Sequence, residues 1–114
     1  MGWVSRLGRW VHQLRRQRVL RPVVRVDGSA LGASAGLLAE GAPIIEMKGS
    51  HAVWLHLSCP CRCGAVLRVN LMRSQFPCWK VMVGAGGRIT VDPSVDVAGC
   101  GSHFLVRDGR IHWV

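Results

Sequence analysis

Cysteines carry most of the chemistry in this sequence. There are five, Cys59, Cys61, Cys63, Cys78 and Cys100, and three crowd into the run Cys59-Pro60-Cys61-Arg62-Cys63-Gly64. A fourth opens Cys100-Gly101-Ser102-His103. Two short thiol-bearing turns, distant in the chain, are how tetrahedral zinc sites are assembled, since thiolate and imidazole are ligands that zinc prefers. The first run resembles a zinc knuckle, whose turn aims backbone N–H groups at the sulfurs. Glycine after the last thiolate relieves the steric cost of that turn. The second run is C-x-x-H, which chelates from one tight turn.

Cys59, Cys61, Cys63, Cys100 and His103 thus offer five ligands for the four seats of zinc. Cys59 or Cys61 with Cys63 on one side, and Cys100 with His103 on the other, would fill them. The surplus thiol would lie beside the site, bridge, or simply be buried. The thiols of the knuckle stand two and four positions apart, where a usual knuckle has three. An odd cysteine count and strained C-x-C geometry argue against a disulfide framework. An iron–sulfur cluster is disfavoured by the histidine. Cys78, between Pro77 and Trp79, reads as a buried apolar side chain.

If the zinc were open to substrate it would need three protein ligands, a water and a carboxylate to move its proton. The acids are Asp27, Glu40, Glu46, Asp92, Asp96 and Asp108. Asp108 belongs to a turn and Asp92 to a loop, so Glu46 is the candidate base. His51, His56 and His112 are candidate acids, bases or extra ligands, and His112 is favoured because pairing places it diagonal to His103. Ser94 and Ser102 are conceivable nucleophiles. Ser102 adjoins His103, but neighbours on a strand point to opposite faces, which makes that pair a poor dyad. There is no H-E-x-x-H, no deaminase signature and no G-x-S-x-G, and Gly84 to Gly87 lacks the lysine of a phosphate loop. The competing reading is a closed site: zinc as a staple for a chain too short to build a large core.

The elements that must position these residues are mostly strands. Val53, Leu55 and Leu57 alternate with Trp54, His56 and Ser58. The same period of two recurs over Val66 to Leu71 and Trp79 to Val83. Arg88 to Val91 reads as a further strand, stopped by Asp92-Pro93-Ser94. Phe104 to Arg107 and Arg110 to Val114 flank Asp108-Gly109, the strongest two-residue hairpin signal. That turn sets Val106 against Ile111, Leu105 against His112 and Phe104 against Trp113. His103, Leu105 and His112 then share the face opposite the core.

Residues 1–22 read as a basic amphipathic helix, with Trp3, Leu7, Trp10, Val11 and Leu14 on one side, ended by Arg21-Pro22. Residues 23–41 read as a linker-like Gly/Ala segment with a possible short strand at Val23 to Val26. Residues 42–114 form the zinc-binding domain. The predicted fold is therefore mainly β, a small antiparallel zinc-stapled domain behind a basic helix.

Composition narrows the classes. The 114 residues are 49% hydrophobic and 18% charged, which excludes a disordered tail. No apolar run reaches the length of a membrane span. Net charge is +9, but seven arginines and no acid fall in residues 1–25, so the basicity belongs mainly to the first segment. Arg6, Arg9, Arg15, Arg16 and Arg18 are accordingly the candidates for binding nucleic acid or another anionic surface. The interrupted apolar positions do not read as a secretory signal, and with free thiols the expectation is a cytoplasmic protein.

The run Cys59 to Gly64, Pro77-Cys-Trp-Lys80, Ile89-Thr-Val-Asp-Pro-Ser-Val95 and the ending Cys100 to Val114 resemble a family of small bacterial and phage proteins known as domain of unknown function 6527. The resemblance covers about residues 44 to 114. It implies that Cys59, Cys61, Cys63, Cys100 and His103 form a shared metal site, with Ser94 and Ser102 in family-like motifs. Arg62 stands where a glycine is expected. Members occur beside ubiquitin-like proteins and their conjugation enzymes, which implies a peptidase that trims or removes such a modifier, or an accessory binding protein. The leading expectation is a zinc-dependent peptidase acting on a ubiquitin-like partner. The alternative is a non-catalytic zinc module whose arginine helix binds nucleic acid or another anionic surface.

Overall fold

The computed structural model describes residues 17–114. Eight strands form two four-stranded sheets. The first sheet holds β1 (Val24–Asp27), β2 (Ile44–Lys48), β3 (His51–Ser58) and β4 (Val66–Asn70) in that spatial order. The second holds β5 (Lys80–Val83), β6 (Ile89–Val97), β7 (Ser102–Arg107) and β8 (Arg110–Trp113). Every pairing is antiparallel except β1 with β2. The inward residues of both sheets meet in one apolar cluster. Ile45, Leu55, Leu57 and Val69 come from the first sheet, and Ile89, Val91, Phe104, Val106 and Ile111 from the second. The fold is mainly β, as the period-two patterning required.

The C-terminal hairpin has the predicted register, Val106 with Ile111, Leu105 with His112 and Phe104 with Trp113. Asp108 and Gly109 take φ values of 49° and 74°, as a two-residue turn of this kind demands. The Phe104 and Trp113 rings meet edge-on, 5.7 Å between centroids.

Three differences from the sequence reading matter. The segment 23–41 is part of the fold: β1 pairs in parallel with β2, and a 3-10 turn (Gly28–Ser34) leads into the short helix α1 (Ala35–Ala39). Asp27 starts that turn by accepting the Ser29 N–H on Oδ1, 3.0 Å, which also lowers its own pKa. Glycine-rich composition concealed this, because propensity is a weak guide once tertiary contacts are made. Next, residues 17–22 run extended and are tied to the domain. Gln17 N–H donates to Pro60 O, Leu20 N–H to Gly109 O, and Ile111 N–H to Arg18 O. The expected helix over residues 1–16 lies outside the described residues. Last, Asp92-Pro93-Ser94 does not stop β6. Val91 pairs with Val106 but Val95 pairs with Phe104, so four steps on β6 match two on β7, and the surplus is a bulge. Ser94 sits in that bulge. No helix among the described residues is long and apolar enough to cross a membrane.

Candidate functional site

The turn between β3 and β4 carries three of the thiols, and the turn between β6 and β7 carries the fourth. Cys59, Cys61, Cys63 and Cys100 converge so that all four sulfurs lie within 4.8 Å of one another. Cys59 Sγ is 3.3 Å from Cys61 Sγ and 3.7 Å from Cys100 Sγ. A tetrahedral ion with metal–sulfur bonds of about 2.3 Å has sulfur–sulfur edges of about 3.8 Å, so the donor set fits such an ion. Cys78 stands apart from the cluster and is half-buried. The knuckle needs two left-handed residues: Gly64 has φ 91° and Arg62 has φ 63°, where a glycine would sit without strain. Cys59 closes the turn at both ends, donating its N–H to Ala65 O and accepting from Arg62 N–H.

The four thiols have unequal surroundings. Cys59 and Cys61 are buried, whereas Cys63 and Cys100 are exposed. Burial pushes the Cys59 thiol up. The Ser102 hydroxyl, 3.2 Å from Cys100 Sγ, holds that thiol down to about 6.

His103 is not in this group. C-x-x-H chelates only if all four residues stay in a turn, and here β7 already begins at Ser102. Strand alternation then sends Ser102 inward with Phe104 and turns His103 to the opposite face. Its Nε2 lies 2.8 Å from Ser94 Oγ. The register explains the meeting. Asp96 pairs with His103 and Val95 with Phe104, so Ser94 and Asp96 share the outer face with His103, and Ser94 is its diagonal neighbour. His112 also lies on this face, exposed, paired with Leu105. Ser102, the other hydroxyl considered, faces the thiols instead.

Ser94 is held from behind. The Trp79 indole N–H donates to Ser94 O at 3.1 Å. Trp79 is delivered by the loop between β4 and β5, which Asn70 organises from its centre. Asn70 Nδ2 donates to the carbonyls of Met72, Gln75 and Pro77, its Oδ1 accepts Met72 N–H, and its carbonyl accepts Trp79 N–H. Sequence reasoning missed Asn70 and Trp79. A buried asparagine followed by a proline-bearing loop is a weak signal, since nothing in the spacing says that three carbonyls converge on it.

Glu46 belongs to another neighbourhood. Its Oε1 is 2.8 Å from His56 Nε2, a largely buried pair formed across β2 and β3 within the first sheet. It is not among the groups that gather with the thiols. His51 is exposed at the start of β3. Arg18 is exposed, while Arg6, Arg9, Arg15 and Arg16 lie outside the described residues.

Two sheets joined by a thiol cluster, with a serine–histidine pair on the outer face of one, define a small metal-competent β protein bearing a candidate hydroxyl nucleophile. The comparison with known families agrees in kind. Residues 33–114 match the family described as BubE, bacterial ubiquitination-like system serine protease, and the chain belongs to that family. No curated protein and no solved structure matched the chain. The expected link to a ubiquitin-like system is thereby shown, and the family is named for a serine rather than a metal.

Proposed function

We propose that the chain is a serine peptidase acting on a ubiquitin-like protein or its conjugates, with Ser94 as nucleophile and His103 as its base. The single observation that carries this reading is the 2.8 Å approach of Ser94 Oγ to His103 Nε2, on an outer face half-open to solvent. With the imidazole neutral and Nε2 unprotonated, the hydroxyl donates its proton to Nε2 as Oγ attacks the scissile carbonyl carbon. The carbon–nitrogen bond then breaks as His103 returns that proton to the leaving amine, leaving an acyl group on Ser94. Water, deprotonated by the same nitrogen, releases it. The bulge in β6 lifts Ser94 out of the ladder, as bulges beside reactive groups do. Trp79 keeps its backbone in place.

In this reading the four thiols hold zinc as a structural clip, in preference to the zinc-dependent mechanism that the sequence suggested. Cys59, Cys61, Cys63 and Cys100 fill a tetrahedral ion, which leaves no seat for a substrate water. The ion would tie the β3–β4 turn to the β6–β7 turn, three residues before His103, and so steady the base from the far side of the strand.

The test is labelling with a fluorophosphonate probe together with hydrolysis of p-nitrophenyl acetate. Ser94→Ala should abolish labelling and lower turnover by about 10³-fold or more, with metal content unchanged. His103→Gln should do the same while still retaining one equivalent of zinc. Labelling that persists in Ser94→Ala, or zinc lost in His103→Gln, would return His103 to the metal and remove this mechanism.

A further inference from the structure

A recess of about 320 Å³ opens where the two sheets adjoin, and three cations line it: Arg25 from β1, Arg73 from the loop after β4, and Lys80 from β5. No carboxylate lines it. The ion pairs among the described residues are Arg21–Glu40, His56–Glu46 and Arg88–Asp108, and none involves these three. Lys80 has Asp92 as its cross-strand partner, without an ion-pair contact. Like charges gathered without a counter-ion repel one another, so the arrangement costs stability unless an anion fills it. The walls are apolar. Trp79, Val81 and Val83 contribute to them, and Trp79 is the residue whose indole N–H holds Ser94 O. Whatever occupies the recess therefore lies beside the strand that carries the nucleophile. β5 is an edge strand, so its side away from β6 has no neighbour in the sheet to pair with.

We infer that this recess docks a short acidic segment of the protein substrate, gripped by Arg25, Arg73 and Lys80. That the occupant is substrate rests on the peptidase reading; that it is acidic rests on the recess alone. Three cations converging on one small, apolar-walled volume suit one or two carboxylate side chains with their methylene groups. A nucleic-acid strand would need its cations spread along a track. An extended segment running along the β5 edge would present its carboxylates to the recess and its backbone to the strand.

Binding of a fluorescein-labelled octaglutamate peptide to the full chain tests this, followed by anisotropy. The three side chains are exposed, so the triple variant R25E/R73E/K80E should fold. It should bind octaglutamate at least about tenfold more weakly than the parent, and the parent's affinity should fall with added salt. Hydrolysis of p-nitrophenyl acetate, too small to reach the recess, should be unchanged in the variant. Unchanged octaglutamate affinity would overturn the inference. So would an equal loss of affinity for an oligothymidylate of matching length, which would make the recess a nucleic-acid site. Failure of the peptidase reading shows separately, as ester turnover that Ser94→Ala leaves intact.

Discussion

At the scale of single residues, two side chains depart from what their neighbours would dictate. Arg62 occupies a left-handed position inside the knuckle, φ 63°, which costs a residue with a Cβ about 1 kcal/mol or more. Arg62→Gly should therefore leave thermal stability unchanged or raise it by up to about 1 kcal/mol, the relief being offset in part by the greater freedom of glycine when unfolded. Calorimetry of the metal-loaded protein reads this directly. Glu46 is the other. Its carboxylate is engaged with His56 on the first sheet, while the proposed reaction occurs on the second. Glu46→Gln should cost about 1–3 kcal/mol, because a charge-assisted bond at a largely buried site is replaced by a neutral one. Ester hydrolysis and zinc content should both survive the change; a complete loss of turnover in a folded Glu46→Gln protein would bring Glu46 back as the base.

At the scale of elements, the loop between β4 and β5 is a relay from a buried side chain to the nucleophile. Asn70 bonds three carbonyls and one N–H of that loop, and the loop in turn sets the Trp79 indole against Ser94 O. Asn70→Ala leaves those carbonyls short of a donor, and unfolding by urea should show a loss of about 2–3 kcal/mol. Trp79→Phe removes only the N–H and keeps most of the apolar area. It should lower kcat about tenfold with little change in KM, since the ground-state contacts of the substrate remain. A rise in KM at constant kcat would instead mark Trp79 as a wall of the substrate recess.

At the scale of the whole molecule, the metal joins what the core already holds together. Three thiols belong to the turn after β3 in the first sheet and one to the turn before β7 in the second. A strong chelator should lower the melting temperature by several degrees, as the loss of a metal clip does in small domains. Activity should fall with it and return when zinc is restored. Substituting cobalt should give thiolate charge-transfer bands and a tetrahedral d–d envelope that azide does not move. A shift with azide would reveal an exchangeable seat, which four cysteine ligands forbid.

Much of this protein was determined by sequence alone. The alternation of apolar residues established the strands of β3, β4, β5 and the last hairpin, down to the register of Val106 with Ile111, because side-chain period and turn chemistry are local properties. The convergence of the knuckle with Cys100 was legible too, since only a shared ion makes sense of so many thiols. Three things were decided elsewhere. Which of five ligands the cluster uses depended on where β7 begins, a matter of one residue that turns His103 from the metal to Ser94. The nucleophile depended on a bulge, whose extra residues are visible only once Val91 and Val95 are paired with β7. The basic recess depended on three residues from β1, β5 and a loop meeting at the junction of the sheets. Local pattern says which face a side chain takes, but not which distant side chain will occupy the same space. Long-range pairing settles that, and no spacing in the chain encodes it directly.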